Sequence, residues 1–114
     1  VFNVVSRNCD DHVKNVSFLM DKTGKWFLSP AYDVYFVIIR EYLDRQTSNI
    51  INGKFDNIAQ SDLLKIGEQN NIKHRQQIIE QVVEVVSRWK IYAKEQGIEG
   101  DMVDFIAQQH NLLR

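Results

Sequence analysis

The chain has 114 residues and a mass of 13.4 kDa, enough for one domain with a modest core. It is 44% hydrophobic and 25% charged with a net charge of −1, a composition that excludes a disordered or low-complexity segment. Charge is spread evenly, with seven basic and seven acidic side chains over 1–57 and seven basic and eight acidic over 58–114, so no basic stripe attracts a phosphate backbone and no direct nucleic-acid contact is expected.

Val1, Phe2, Val4 and Val5 fall at helical spacing with no capping residue ahead of them. They read as the last turns of a helix, and the chain is expected to be a piece of a longer protein. A polar loop follows to Asn15. Val16 to Met20 reads as a strand, Asp21-Lys22-Thr23-Gly24 as a turn, and Trp26-Phe27-Leu28 as the returning strand. This predicts a β-hairpin in which Gly24 takes a positive φ. Ser29 to Asp33 leaves the hairpin as a loop. The apolar run over 34–42 is open between strand and helix. The stretch 44–56 is polar, with Asn52-Gly53 marking a turn.

The remainder predicts helices. Ser61 is placed to cap a short one that buries Leu63, Leu64 and Ile66. A long one over 73–96 ends at Gly97, with Ile78, Val82, Val85, Val86, Trp89 and Ala93 on one face, widened by Ile79 and Val83. Asp101 is placed to cap the last, in which Met102, Phe105, Ile106, Gln109 and Leu113 align. The expected fold is α+β, mainly α, a single domain over 1–114. The longest apolar run, Val34 to Ile39, is six residues, far short of the ~18 that a membrane span needs. No membrane contact is expected. A cytoplasmic location is expected, and the lone Cys9, read as a small apolar residue, fits it.

The chemistry is concentrated in Asn8-Cys9-Asp10-Asp11-His12-Val13-Lys14-Asn15 and, beyond the hairpin, in Pro30-Ala31-Tyr32-Asp33. In a kinase catalytic loop an Asp sits five residues before an Asn, as Asp10 does before Asn15. There the Asp accepts the proton of the attacking hydroxyl and the Asn ligates magnesium. Asp33 is placed to bridge that metal to the phosphates. Magnesium takes oxygen ligands, keeps waters, and needs only one or two protein carboxylates beside phosphate. Asn15 and Asp33 suit that demand, and His12 and Lys14 are placed to face phosphate or orient Asp10. An Asp and an Asn at this spacing are also what a capped turn looks like; the hairpin and the second acidic loop are what add to the pair. Asp10, Asp11 and His12 are adjacent and cannot easily point at one ion, so a transition-metal site is not expected. His74 and His110 read as surface residues, and Trp89 and Tyr92 as packing.

The run from Asp10 to Phe18 is similar to the D-x-H-x-K-N-x-S motif of HipA-like kinases, and Leu28-Ser29-Pro30-Ala31-Tyr32-Asp33 resembles their hydrophobic-x-P-x-Y-D motif. Asn49-Ile50-Ile51-Asn52-Gly53-Lys54 looks like a further segment of that family, and the resemblance extends from Asp10 to about Lys94. It implies a kinase-like helical C-lobe with the hairpin at the active-site edge. It implies Asp10 as catalytic base, Asn15 and Asp33 as magnesium ligands, and His12, Lys14 and Tyr32 bordering the nucleotide. The implied cofactors are ATP and Mg2+, and the implied reaction is phosphorylation of a protein serine or threonine. Implied partners are a HipB-like DNA-binding antitoxin, in a type II toxin–antitoxin pair, and an aminoacyl-tRNA synthetase as substrate. Position 11 is Asp, where a small residue such as Gly also occurs in the family. Two rivals stay open: a lipid or small-molecule phosphotransferase, whose catalytic loop Asp10-x-His12-x-x-Asn15 also resembles, and a non-catalytic helical interaction module. Gly24, Gly53, Gly67, Gly97 and Gly100 form no glycine-rich phosphate loop. The isolated chain is therefore expected to be inactive, to bind ATP at millimolar level or not at all, and to self-associate through an uncovered apolar patch.

Overall fold

The computed structural model describes residues 1–37 and 50–114. Its elements are α1 (Phe2–Ser6), a 3-10 turn (Val13–Asn15), β1 (Phe18–Met20), β2 (Trp26–Leu28), α2 (Gln60–Gln69), α3 (Arg75–Ser87), α4 (Trp89–Glu95) and α5 (Gly100–Gln109). This is the mainly helical α+β architecture that the sequence predicts, with one antiparallel two-stranded sheet among the described residues.

A helix of α1's length has no stability of its own, so tertiary burial must hold it. Val4 and Val5 are its buried residues, and Val4 joins Ile58, Leu63 and Ile79 in the core. Leu64, Val83 and Leu113 pack around that cluster. The C-terminal tail closes it: Asn111 N–H donates to the Val5 carbonyl, and Asn111 Nδ2 to that of Ile58, each at 2.9 Å.

The hairpin pairs Phe18 with Leu28, Leu19 with Phe27 and Met20 with Trp26. The first strand starts at Phe18 rather than Val16, although Ser17 and Ser29 extend the pairing through a hydroxyl–hydroxyl bond of 2.9 Å. Gly24 lies at φ 84. Asp21 Oδ1 accepts the Thr23 N–H at 2.8 Å and the Thr23 hydroxyl at 2.6 Å, and these donors hold its carboxyl below the usual carboxylate range. All six strand side chains are exposed, up to 64% for Trp26.

Of the apolar run over 34–42, residues 38–42 lie outside the described residues, as do 44–49 of the polar stretch and Asn49 of the third family-like segment. Val37 N–H reaches the Arg7 carbonyl at 3.5 Å, in a parallel bridge beside Asn8. Asn52 and Gly53 lie at φ 50 and 79 between the paired residues Ile51 and Lys54; two successive positive φ values make the tight turn that Asn-Gly favours.

Five helix expectations are corrected. The helix foreseen over 73–96 is two, broken at Arg88 (φ −88, ψ 11). Ser87 Oγ donates to the Glu84 carbonyl at 2.6 Å and Arg88 N–H to that of Val85 at 3.1 Å, a back-bonding that bends helices. The Trp89 indole N–H, bonded to the Val103 carbonyl at 3.0 Å, then aims α4 along α5. The buried stripe of α3 is centred on Ile79 and Val86, whereas Ile78 and Val85 stand 39% and 43% exposed. Ser61 does not cap α2: Ala59 holds the N-cap position, and Asp62 reaches back to accept the Ala59 N–H at 2.9 Å. Glu99 rather than Asp101 precedes α5, with Asp101 in its first turn, and α5 ends before Leu113.

Gly97 does end α4 as expected. Its φ is 73, Gly97 N–H bonds the Lys94 carbonyl at 3.1 Å and Ile98 N–H that of Ala93 at 3.0 Å, the paired closure of a left-handed C-terminus. Gly67 has a different reason: a Cβ there would lie 2.9 Å from Arg75 Cδ, so its absence lets the start of α3 lie on α2.

Candidate active site

Arg7 ends α1 in the left-handed region (φ 61) and turns Asn8 and Cys9 inward, to 2% and 3% exposure. Asn8 Nδ2 donates to Asn3 Oδ1 and to the main-chain oxygen of Asp33, both at 3.4 Å, so it spans α1 and the second motif. Burial pushes the Cys9 thiol up, with Arg7 opposing, which favours the thiol over the reactive thiolate.

The Asp10–Asn15 segment closes on itself. Asn15 N–H donates to the His12 carbonyl at 3.0 Å, and Asn15 Nδ2 to the Asp10 carbonyl at 3.1 Å. Its amide oxygen, the atom a cation would need, has no hydrogen-bond partner among the described residues. The second motif is tied to the first by the Tyr32 hydroxyl, which donates to the Lys14 carbonyl at 2.9 Å. Asp33 lies at φ 55, a left-handed conformation that costs most L-residues roughly 1–2 kcal/mol and that Asp tolerates better than most. Two residues on, the Tyr35 hydroxyl donates to Asp10 Oδ2 at 3.1 Å. That bond, with burial and the charges of Asp10 and Asp33, raises the Tyr35 pKa above the ordinary value.

A cleft of about 520 Å³ opens between these loops, and Asn15, Tyr32 and Asp33 line it together. Asn8 and Asp11 share the wall, with Phe2, Val16, Leu28 and Pro30 as its apolar part. Asp10, His12 and Lys14 are not in that wall. Asp10 is half-buried, His12 is half-buried with Nδ1 enclosed and unbonded, and Lys14 is exposed. In the sequence Asp11 stands out only in a rejected transition-metal group and as a position where the family also has a small residue; the structure sets it among the cleft residues. It gave Asn8 no role at all. The one signal for Asn8 was its place in the same polar run, because its burial depends on the left-handed turn at Arg7.

Among the described residues no three His, Cys, Asp or Glu side chains group as metal ligands. A cation in this cleft would rest on the Asp33 carboxylate and the Asn15 amide oxygen, with waters and substrate oxygens completing its shell. That donor set suits a small hard ion. His110 is corrected from a surface residue: it is half-buried with its ring edge-on to Trp89 at 6.0 Å, and burial lowers its pKa. Among the described residues no helix is long and apolar enough to cross a membrane.

A family model described as the HipA-like C-terminal domain matches residues 1–89, a range that takes in both motifs, the cleft, α2 and α3. No curated protein and no solved structure matches the chain.

Proposed function

The chain belongs to the HipA-like C-terminal domain family, which is kinase-related, and from that premise we propose that it supplies the base and the metal ligands of a protein serine/threonine kinase. The observation that carries this function is the convergence of Asn15 and Asp33 on one cleft, with the Asp10 main-chain carbonyl bonded to the Asn15 amide. Asp10 takes the proton of the acceptor hydroxyl as that oxygen bonds the γ-phosphorus of ATP, and the bond to ADP breaks. Asn15 and Asp33 would hold magnesium, whose chemistry when bound is neutralisation of phosphate charge. Tyr32 borders the nucleotide from the cleft wall. His12 and Lys14, carried by the same loop as Asn15, complete the nucleotide's surroundings in this reading. The chain has no glycine-rich loop, so the remaining phosphate cradle comes from outside these residues.

The same function extends to a cytoplasmic toxin restrained by a HipB-like DNA-binding antitoxin, with an aminoacyl-tRNA synthetase as the phosphorylated protein. The test is Asp10→Asn in the active protein. Phosphotransfer from labelled ATP should fall by roughly 10²–10⁴-fold while nucleotide binding persists. Near wild-type transfer would sink the assignment of Asp10 as base.

A further inference from the structure

A base must present a lone pair in a fixed direction, and an Asp carboxylate rotates unless something holds it. The Asn15 bond fixes the Asp10 main chain, not its carboxylate. Among the described residues the Tyr35 hydroxyl is what bonds the carboxylate, and it bonds only Oδ2. We propose that Tyr35 is a positioning residue for Asp10, holding Oδ2 so that Oδ1 faces the acceptor hydroxyl; this rests on the kinase function proposed above.

Two features support it. Asp33 and Tyr35 are two residues apart on one loop, so a single segment carries both the proposed metal ligand and the group that orients the base. Their relative placement is then set locally although Asp10 lies 25 residues earlier in the chain. The Tyr35 ring also forms part of the wall of a second cavity, about 280 Å³, whose other walls include Val34, Phe36, Trp89 and Ile106. Tyr35 is 47% exposed, so the hydroxyl contact rather than burial is what fixes its orientation towards Asp10. The phenol is neutral and donates, so it does not compete with Asp10 for the substrate proton. The charged groups acting on the hydroxyl are Asp10 and Asp33, and His110 lines the same cavity as Tyr35.

Two measurements test the proposal. The first is a crystal structure of the complete protein, in which the Tyr35 hydroxyl should lie within hydrogen-bond reach of Asp10 Oδ2, and a separation beyond ~3.5 Å would show that the contact does not form. The second is the kinetics of Tyr35→Phe, which keeps the ring and its packing. Loss of one hydrogen bond to a solvent-accessible carboxylate should lower kcat by roughly three- to tenfold, with KM for magnesium-ATP unchanged. An unchanged kcat, or a loss confined to KM, overturns the positioning role. If Asp10→Asn proves active, the kinase function fails by its own test, whereas a short Tyr35–Asp10 distance would still establish the contact.

Discussion

Asp33 combines a chemical demand with a conformational one, and two substitutions separate them. Its φ of 55 is a region in which Asn is nearly as comfortable as Asp, while Ala pays about 1 kcal/mol for its Cβ. At ~2.1 cal/mol/K of melting entropy per residue, ~0.24 kcal/mol/K for this chain, that difference amounts to ~4 °C in Tm. Asp33→Asn should therefore melt within a degree or two of the wild type, and Asp33→Ala ~4 °C below Asp33→Asn. Both remove the carboxylate. In titration calorimetry of the complete protein with ATP at fixed magnesium, both should lose the magnesium-dependent part of the binding, a weakening of roughly 10–100-fold. A magnesium-dependent affinity of wild-type size in Asp33→Asn would show that Asp33 is not a ligand. Equal melting of the Asn and Ala variants would show that residue 33 does not occupy the left-handed region in solution.

Asp62 is 3% exposed and accepts from Lys54 Nζ, Ala59 N–H and Asn52 Nδ2 at 2.8, 2.9 and 2.8 Å, which lowers its pKa from 3.8 to about 2. Protons thus bind the unfolded state first: this contribution is present above pH ~4 and is lost as pH falls from there towards 2. Denaturant melts across that window should show a shallower loss in Asp62→Asn, and parallel curves would refute the network. Ile79, 2% exposed in the core cluster, should cost about 3 kcal/mol when cut to Ala, or ~12 °C in Tm; a loss of under ~1 kcal/mol in thermal melts would place it outside the core. The exposed hairpin should make the isolated chain self-associate with rising concentration in sedimentation, and Trp26→Glu should suppress this. A monomer at all concentrations would remove the expectation.

What was legible in the sequence is what the local backbone decides. Asp21 and Gly24 make their turn with atoms of residues 21–25, so the hairpin could be read directly. The same holds for the Asn52-Gly53 turn, for the closure at Gly97, and for the Asp10–Asn15 spacing that the 3-10 turn turns into a contact. What was missed is decided across the chain. The break at Arg88 needs Ser87 bonding backward and the Trp89 indole caught by Val103; from periodicity alone the two helices are one. The start of α2 is set by Asp62, whose partners Asn52 and Lys54 come from the preceding turn, so Ser61 was the better-looking cap and the wrong one. Asn8 and Tyr35 follow the same rule. Neither belongs to the set of base and metal residues that the kinase motif names. Their contacts with Asp33 and Asp10 span 25 residues each, and folding alone brings them to the site. The motif therefore nominates the groups that would react, while the residues that hold those groups in place become visible only when the two loops are seen to meet.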